Sequence, residues 1–340
     1  MIAAVRVLWL ATRRELKGLS SVGLNNLVFS MLFLMQGSNT KRGAFLNTLL
    51  FQIVLFVPLL FAMSADALER VPREREMLWP LTAWQRMGLR VTGVGLNPAF
   101  WLLGVGVAGW GGVWAGAGFV VLAVLVQVVV GLVSLMRRGG GSAEPARWLP
   151  RFPGRLGGVV QVEARHIFRT LDFCAALLLC VMGGAYRAFS KGPQVEAFPI
   201  LAILVAIALS TYAQRSFGLD GAGGIARYRL LPVPGWRLLL AKDAAYLGVV
   251  GLLVLPLGFV PGMTFGLMAV AIGRYPAVRL PVRQRAWRFT GGDVRFGLAQ
   301  LVVGGLMGIG SAQIGVVFLA VAVVVYGGSV FLGGRWWDRG

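Results

Sequence analysis

The sequence predicts an all-α polytopic membrane protein: about ten transmembrane helices in two parallel pseudo-repeats, each preceded by a basic interfacial amphipathic helix. Three observations carry this. Of the 340 residues, 57% are hydrophobic and 14% charged, with a mean hydropathy of +0.75, more apolar surface than a soluble core can hide. The polar residues are confined to short intervals between long apolar runs. The chain also echoes itself. Leu78, Pro80, Trp84 and Arg90 return as Leu230, Pro232, Trp236 and Lys242, each displaced by 152 residues. A constant offset marks an internal repeat, and the weaker pairs Val7/Val159, Leu10/Val162, Arg13/Arg165, Lys17/Arg169 and Leu19/Leu171 extend it towards the start of the chain.

The first half covers residues 1–138. Residues 4–19 form an amphipathic pattern, with Val5, Leu8, Trp9, Leu16 and Leu19 on one arc and Arg6, Arg13, Arg14 and Lys17 on the other. Such a helix lies in the headgroup plane with its cations towards anionic lipid. Spans are expected at 20–37 and 44–64. Residues 65–90 carry nine charges, among them Asp66, Glu69, Arg70 and Arg90, too dense for hydrocarbon, and read as an exposed loop with helical pieces. Spans at 91–111 and 114–136 follow, turning near Gly112 and Gly116, and the Gly-, Pro- and Arg-rich stretch 139–155 is the linker between the halves.

The second half, 156–340, opens with another basic amphipathic helix, with Leu156, Val160, Ile167 and Leu171 on one arc and Gln161, Arg165, His166 and Arg169 opposite. Spans at 171–189 and 195–214 lead into a polar, proline-kinked loop, Phe217 to Lys242. The run 243–273, broken by Pro256, Pro261 and Gly262, reads as a hairpin of two spans. A basic stretch, 274–295, precedes spans at 296–311 and 313–332.

With both termini cytoplasmic, 29 of the 33 Lys and Arg fall inside and four, Lys41, Arg42, Arg187 and Lys191, outside. That asymmetry fits the positive-inside rule. The net charge of +20 is thereby explained by topology, and no interval between spans is long enough for a nucleic-acid-binding module. Each unit holds an even number of spans, so the halves share one orientation, an arrangement in which a path runs between them.

Catalytic and metal chemistry find little support. Cys174 and Cys180, six residues apart in an apolar run, fall on different helix faces. The single histidine, His166, reads as an ordinary member of its basic helix. Gly104, Gly106 and Gly109 match a dinucleotide fingerprint in letters only, since they lie within an apolar span. No phosphate-binding loop of the form G-x-x-x-x-G-K-[ST] occurs, so ATP and magnesium are not expected on this chain. Gly304 and Gly308 have the spacing that lets membrane helices approach closely. Asn25, Asn26, Gln52, Gln127, Gln300 and Gln313 either line a pathway or bond between helices.

The loop supplies the resemblance. Phe217-Gly218-Leu219-Asp220, then Gly224, Tyr228-Arg229-Leu230-Leu231-Pro232-Val233-Pro234 and Leu238-Leu239-Leu240-Ala241-Lys242 resemble the cytoplasmic loop of bacterial ABC-2 type transporter permeases. The likeness covers about 26 residues closely and the remainder diffusely. It implies the membrane subunit of an exporter in the bacterial cytoplasmic membrane, driven by separate ATPase subunits, two copies, that press on the interfacial helix and the loop. It places Phe217, Gly218, Asp220, Arg229, Pro232, Trp236 and Lys242 in the ATPase-coupling segment, with Asp66, Pro80, Trp84 and Arg90 as a second, weaker contact. The interfacial helices contribute Arg13, Lys17, Arg165 and Arg169. The first copy lacks the Phe-Gly-x-Asp run. A reading from another class is an ion-gradient-driven secondary transporter, which requires ionisable residues within the membrane. Only Asp172 and Arg187, at the two ends of one span, stand out for it.

Overall fold

The computed structural model describes residues 10, 82–95, 98–136, 152–154, 156–189, 195–218, 220–280 and 289–339. The first interfacial helix with Arg13 and Lys17, the spans at 20–64, the loop residues Asp66 and Pro80, and most of the linker lie outside these. Among the described residues the structure is entirely helical. Among these residues three helical segments are long and apolar enough to cross a membrane: Leu171–Phe189, Val294–Ile314 and Val316–Asp338. The chain divides near residue 145 into two compact units.

In the first unit, helix α1 (Ala83–Gly95) starts at a reciprocal cap. The Gln85 amide donates to Thr82 Oγ1 at 3.3 Å, and the Thr82 amide donates to Gln85 Oε1 at 3.0 Å. Helix α2 (Pro98–Met136) breaks at Gly112, whose φ of 81° is open to glycine without a Cβ penalty. Its two arms fold back on each other: Phe100 stacks on Phe119 at 5.3 Å and Gly116 sits against Ala108. The turn falls where the apolar run was expected to reverse.

The second unit begins with α3 (Gly157–Phe168), followed by α4 (Leu171–Phe189) and α5 (Ala197–Ala213). A short helix α6 (Gly221–Arg229) sits in the loop. Then come the antiparallel pair α7 (Gly235–Val254) and α8 (Phe259–Arg279). A run of α9 (Val294–Ala299), a π turn (Gln300–Gly304) and α10 (Gly305–Ile314) leads into α11 (Val316–Asp338). Helix α8 is central and packs on α5, α7, α10 and α11. A Cβ on Gly262 would lie 2.7 Å from Val254, so glycine is what lets α8 come this close to α7. Gly304 and Gly308 meet Phe265 and Ile203 in the same way.

Three expectations shift. The end of the Phe217–Lys242 stretch was read as an apolar-basic helix, Pro234 to Lys242, separate from the span that follows, but α7 runs unbroken from Gly235 to Val254. Arg274 was assigned to a basic stretch outside the membrane, whereas it lies inside α8, buried and paired. The final reversal falls at Gly315, whose φ of 85° breaks the helix, rather than at residue 312.

Candidate functional site at a buried lysine

Polar side chains are sorted along the second unit. α4, α8 and α11 run back and forth, so residues near 163–172, 210–220, 235–243, 274–300 and 326–338 gather at one end of the helices. Three buried networks occupy that end.

The first centres on Lys242, 2% exposed. Its ammonium donates three hydrogen bonds: to Glu163 Oε2, to Asp220 Oδ2 at 2.7 Å and to the Ser216 carbonyl at 2.9 Å. The rings of Phe217 and Tyr228 lie 4.6 and 5.3 Å from Nζ, so aromatic faces close the remaining sides. Tyr212 donates to Glu163 Oε1 at 2.7 Å and Tyr228 donates to Asp220 Oδ1 at 3.0 Å. One lysine thus ties α3, the turn 214–218, the start of α6 and α7 together, and every carboxylate oxygen in the cluster has a donor. Burial pushes the Glu163 carboxyl up to about 7, with Lys242 opposing the rise and Asp220 adding to it. Burial likewise pulls the His166 imidazole down to about 4 against the pull of Asp220. Tyr228 is pushed up to about 12, first by burial.

The second network joins α4, α5 and the segment before α9. Asp172 accepts from Thr211 Oγ1 at 2.9 Å and from the Thr290 amide at 2.7 Å. Gln214 donates to Gln300 at 2.6 Å and accepts from the Asp293 amide at 2.8 Å. The π turn rotates Gln300 inward, where it also donates to the Ala269 carbonyl at 2.7 Å. The third network is a bidentate pair: Arg274 donates to both Asp243 oxygens, at 2.9 and 2.5 Å, and Tyr326 donates to one of them at 3.0 Å.

Among the residues that the sequence placed in the loop, Phe217, Asp220 and Lys242 therefore meet. The Gly218 amide closes the preceding turn on the Arg215 carbonyl at 2.7 Å. Arg229 lies over the Trp337 ring at 5.6 Å, and that ring stacks on Phe217 at 5.0 Å. Pro232 and Trp236 are exposed, Trp236 at 42%, beside Leu230 at 84%. Arg165 on α3 and Arg169 at its C-terminal cap are half-buried. In the first unit Trp84 is exposed on α1, which also carries Arg90.

Sequence reasoning missed Glu163, although a signal was present. It falls on the arc of Val160 and Ile167 that was read as apolar, and an acid there needs a buried cation. His166 is more than a member of a basic face: its Nδ1 lies 3.7 Å from Asp220 Oδ1 and 4.0 Å from Glu163 Oε2. Besides Asp172, the charged residues Lys242, Asp243 and Arg274 are buried, in α7 and α8. Lys242 had been read as a loop residue and Arg274 as part of a basic stretch, while Asp243 stood unremarked at the start of the run 243–273.

Glu163, His166 and Asp220 place one atom each within 4.8 Å of one another, a spacing a metal ion can bridge. The Lys242 ammonium already bonds both carboxylates, so the position is held by a cation of the chain itself. No family model, curated protein or solved structure matches this chain.

Proposed function

We propose that this chain is the membrane-spanning subunit of an ATP-driven exporter, an ABC-2 type permease of the bacterial cytoplasmic membrane. A separate cytoplasmic ATPase, in two copies, binds ATP and magnesium and hydrolyses the nucleotide, and this chain converts that work into outward movement of a substrate. The proposal includes the ten-span architecture in two parallel halves with both termini inside. One observation carries it: Lys242 fastens the interfacial helix α3 and the loop segment bearing Asp220 onto the end of α7. A push delivered to the exposed tip of Leu230, Leu231 and Trp236 is then transmitted into the helix bundle, because the tip, α3 and α7 are joined by buried, fully bonded groups.

Within this reading the loop residues divide in two. Phe217, Asp220 and Lys242 hold the loop, whereas Arg229, Pro232 and Trp236 face the partner. A second reading, transport driven by an ion gradient, draws on the buried Asp243 and Arg274. Affinity purification of the chain from its native membrane separates the two. The first reading expects an ATP-hydrolysing subunit to come down with it, and vesicles holding both proteins to export only with ATP. Export by the chain alone, powered by a proton or sodium gradient, would replace the first reading with the second.

A further inference from the structure

At one end of the second unit three aromatic rings draw together four exposed arginines. Tyr275, in the last turns of α8, stacks on Phe296 of α9 at 5.7 Å and meets Trp336 of α11 edge-on at 5.5 Å. Each ring has an arginine beside it. Arg279 follows Tyr275 by one helical turn, Arg295 precedes Phe296, and Arg335 and Arg339 lie on either side of Trp336 along the chain. The Arg335 guanidinium rests 4.4 Å from the Phe331 ring, and none of the four is paired with a carboxylate among the described residues. The rings add donors of their own, since the Tyr275 hydroxyl and the Trp336 indole N–H have no hydrogen-bond partner among the described residues.

Neighbouring negative charge does not cancel these cations. From residue 244 to residue 337 the sequence holds one acidic residue, Asp293. Its carboxylate accepts from the Arg295 amide at 2.9 Å and acts electrostatically on Arg215. Asp338 accepts from the Gly235 amide at the start of α7, at 2.9 Å. The C-terminal ends of α8 and α11 contribute about half a negative charge each, which a single arginine offsets. Buried Arg274 and Asp243 neutralise each other.

The depth of the cluster identifies what it meets. Phe296 lies near the start of Val294–Ile314 and Trp336 near the end of Val316–Asp338, two segments long and apolar enough to cross a membrane. Aromatic rings at such positions stand at headgroup level. From there the surface continues apolar: Leu298, Val302 and Leu332 are 51%, 53% and 50% exposed. A free phosphate ion or an acidic protein would use the arginines and leave these side chains bare, whereas a lipid uses both.

We propose that Tyr275, Phe296 and Trp336, with Arg279, Arg295 and Arg335, form a binding site for the headgroup of one anionic phospholipid. Its phosphate lies on the guanidinium groups, which bind such oxygens through paired donors, and its acyl chains run along Leu298, Val302 and Leu332. The site needs only that these two helices cross a membrane, and it stands whether or not an ATPase drives the chain.

Native mass spectrometry of the purified full-length chain, stripped of lipid in detergent and titrated with phosphatidylglycerol or with phosphatidylcholine of the same acyl chains, tests it. The first phosphatidylglycerol should bind more tightly than phosphatidylcholine by about tenfold or more. Arg279→Gln, Arg295→Gln and Arg335→Gln combined should weaken it on the order of a hundredfold, at about fivefold per cation. The thermal melt should stay in place, because all three side chains are exposed. Lysine at the same three positions keeps the charge and should retain most of the affinity. A matched triple in the loop, Arg227→Gln, Arg229→Gln and Arg237→Gln, should leave it unaltered. Equal affinity for the two lipids, unchanged phosphatidylglycerol binding in the first triple, an equal loss in the loop triple, or displacement of the bound lipid by inorganic phosphate would each overturn the proposal.

Discussion

Lys242 and Asp243 are consecutive residues of α7, yet their side chains leave the helix in directions about 100° apart and enter two different worlds. Asp243 meets Arg274 of α8 in a bidentate pair, one charge against one, with Tyr326 of α11 donating a further bond to Oδ2. Lys242 meets two carboxylates from two separate segments. The first arrangement is one charge against one and joins α7, α8 and α11 to each other. The second gathers two carboxylates on one ammonium and joins α7 to the loop and to α3. The pair fastens helix to helix, while the shared ammonium holds three separate segments at a single point.

The largest expected effect comes from removing the shared cation. Lys242→Ala leaves Glu163 and Asp220 facing each other without it. Removing one partner from a buried ion pair costs about 3–5 kcal/mol, and here two carboxylates lose their partner at once. We expect the upper end of that range, read as a fall in thermal unfolding temperature in nanodiscs. Arg274→Ala should cost towards the lower end, because Tyr326 still bonds the orphaned Asp243. The double change Asp243→Leu with Arg274→Met sharpens the contrast. A neutral pair replaced by apolar groups of similar size is often tolerated, so most of the single-variant loss should return. If instead the double variant is worse than Arg274→Ala, the pair is more than a bolt.

The next effect is smaller and distinguishes the two regions by pH. Glu163 has a folded-state value of about 7, above its ordinary 4.5, so it favours the folded state at low pH, and that contribution fades between pH 4.5 and about 7. His166 has a folded value of about 4, below its ordinary 6.5, so it costs stability as pH falls through that interval. The two slopes oppose each other between pH 4.5 and 6.5. The melting temperature should therefore be level there and decline only from pH 6.5 towards 7. In Glu163→Gln only the His166 slope remains, and stability should climb with pH up to about 6.5. Identical profiles for the two proteins would remove the cluster from the pH response.

How much of this was legible beforehand depended on whether the signal was periodic or relational. The bounds of α4 could be taken directly from the apolar run 171–189, and the reversal at Gly112 from glycine between two such runs. Asp220 and Lys242 were singled out through the loop's resemblance to a family, which said nothing of their bonding to each other. Glu163 could not be paired with Lys242 in advance, because 79 residues separate them and no pattern states which buried acid a given lysine will meet. The π turn was hidden for a similar reason. Gln300 is drawn inward by carbonyls of Ser210 and Ala269 that only the folded bundle brings to it.

The smallest effect on stability should accompany the largest effect on partnership. Leu230 and Trp236 are 84% and 42% exposed, and they flank a tip with Arg229 and Arg237. Exposed substitutions away from buried features usually change stability by no more than about 0.5 kcal/mol. Leu230→Asp combined with Trp236→Asp should thus leave the melting temperature almost where it was, in contrast to Lys242→Ala. If the tip is where an ATPase pushes, the same change should abolish co-purification of that subunit, because a desolvated apolar contact would have to accept two carboxylates. Retained co-purification with unchanged ATP-driven export would move the contact away from the tip while leaving the buried cluster beneath it untouched.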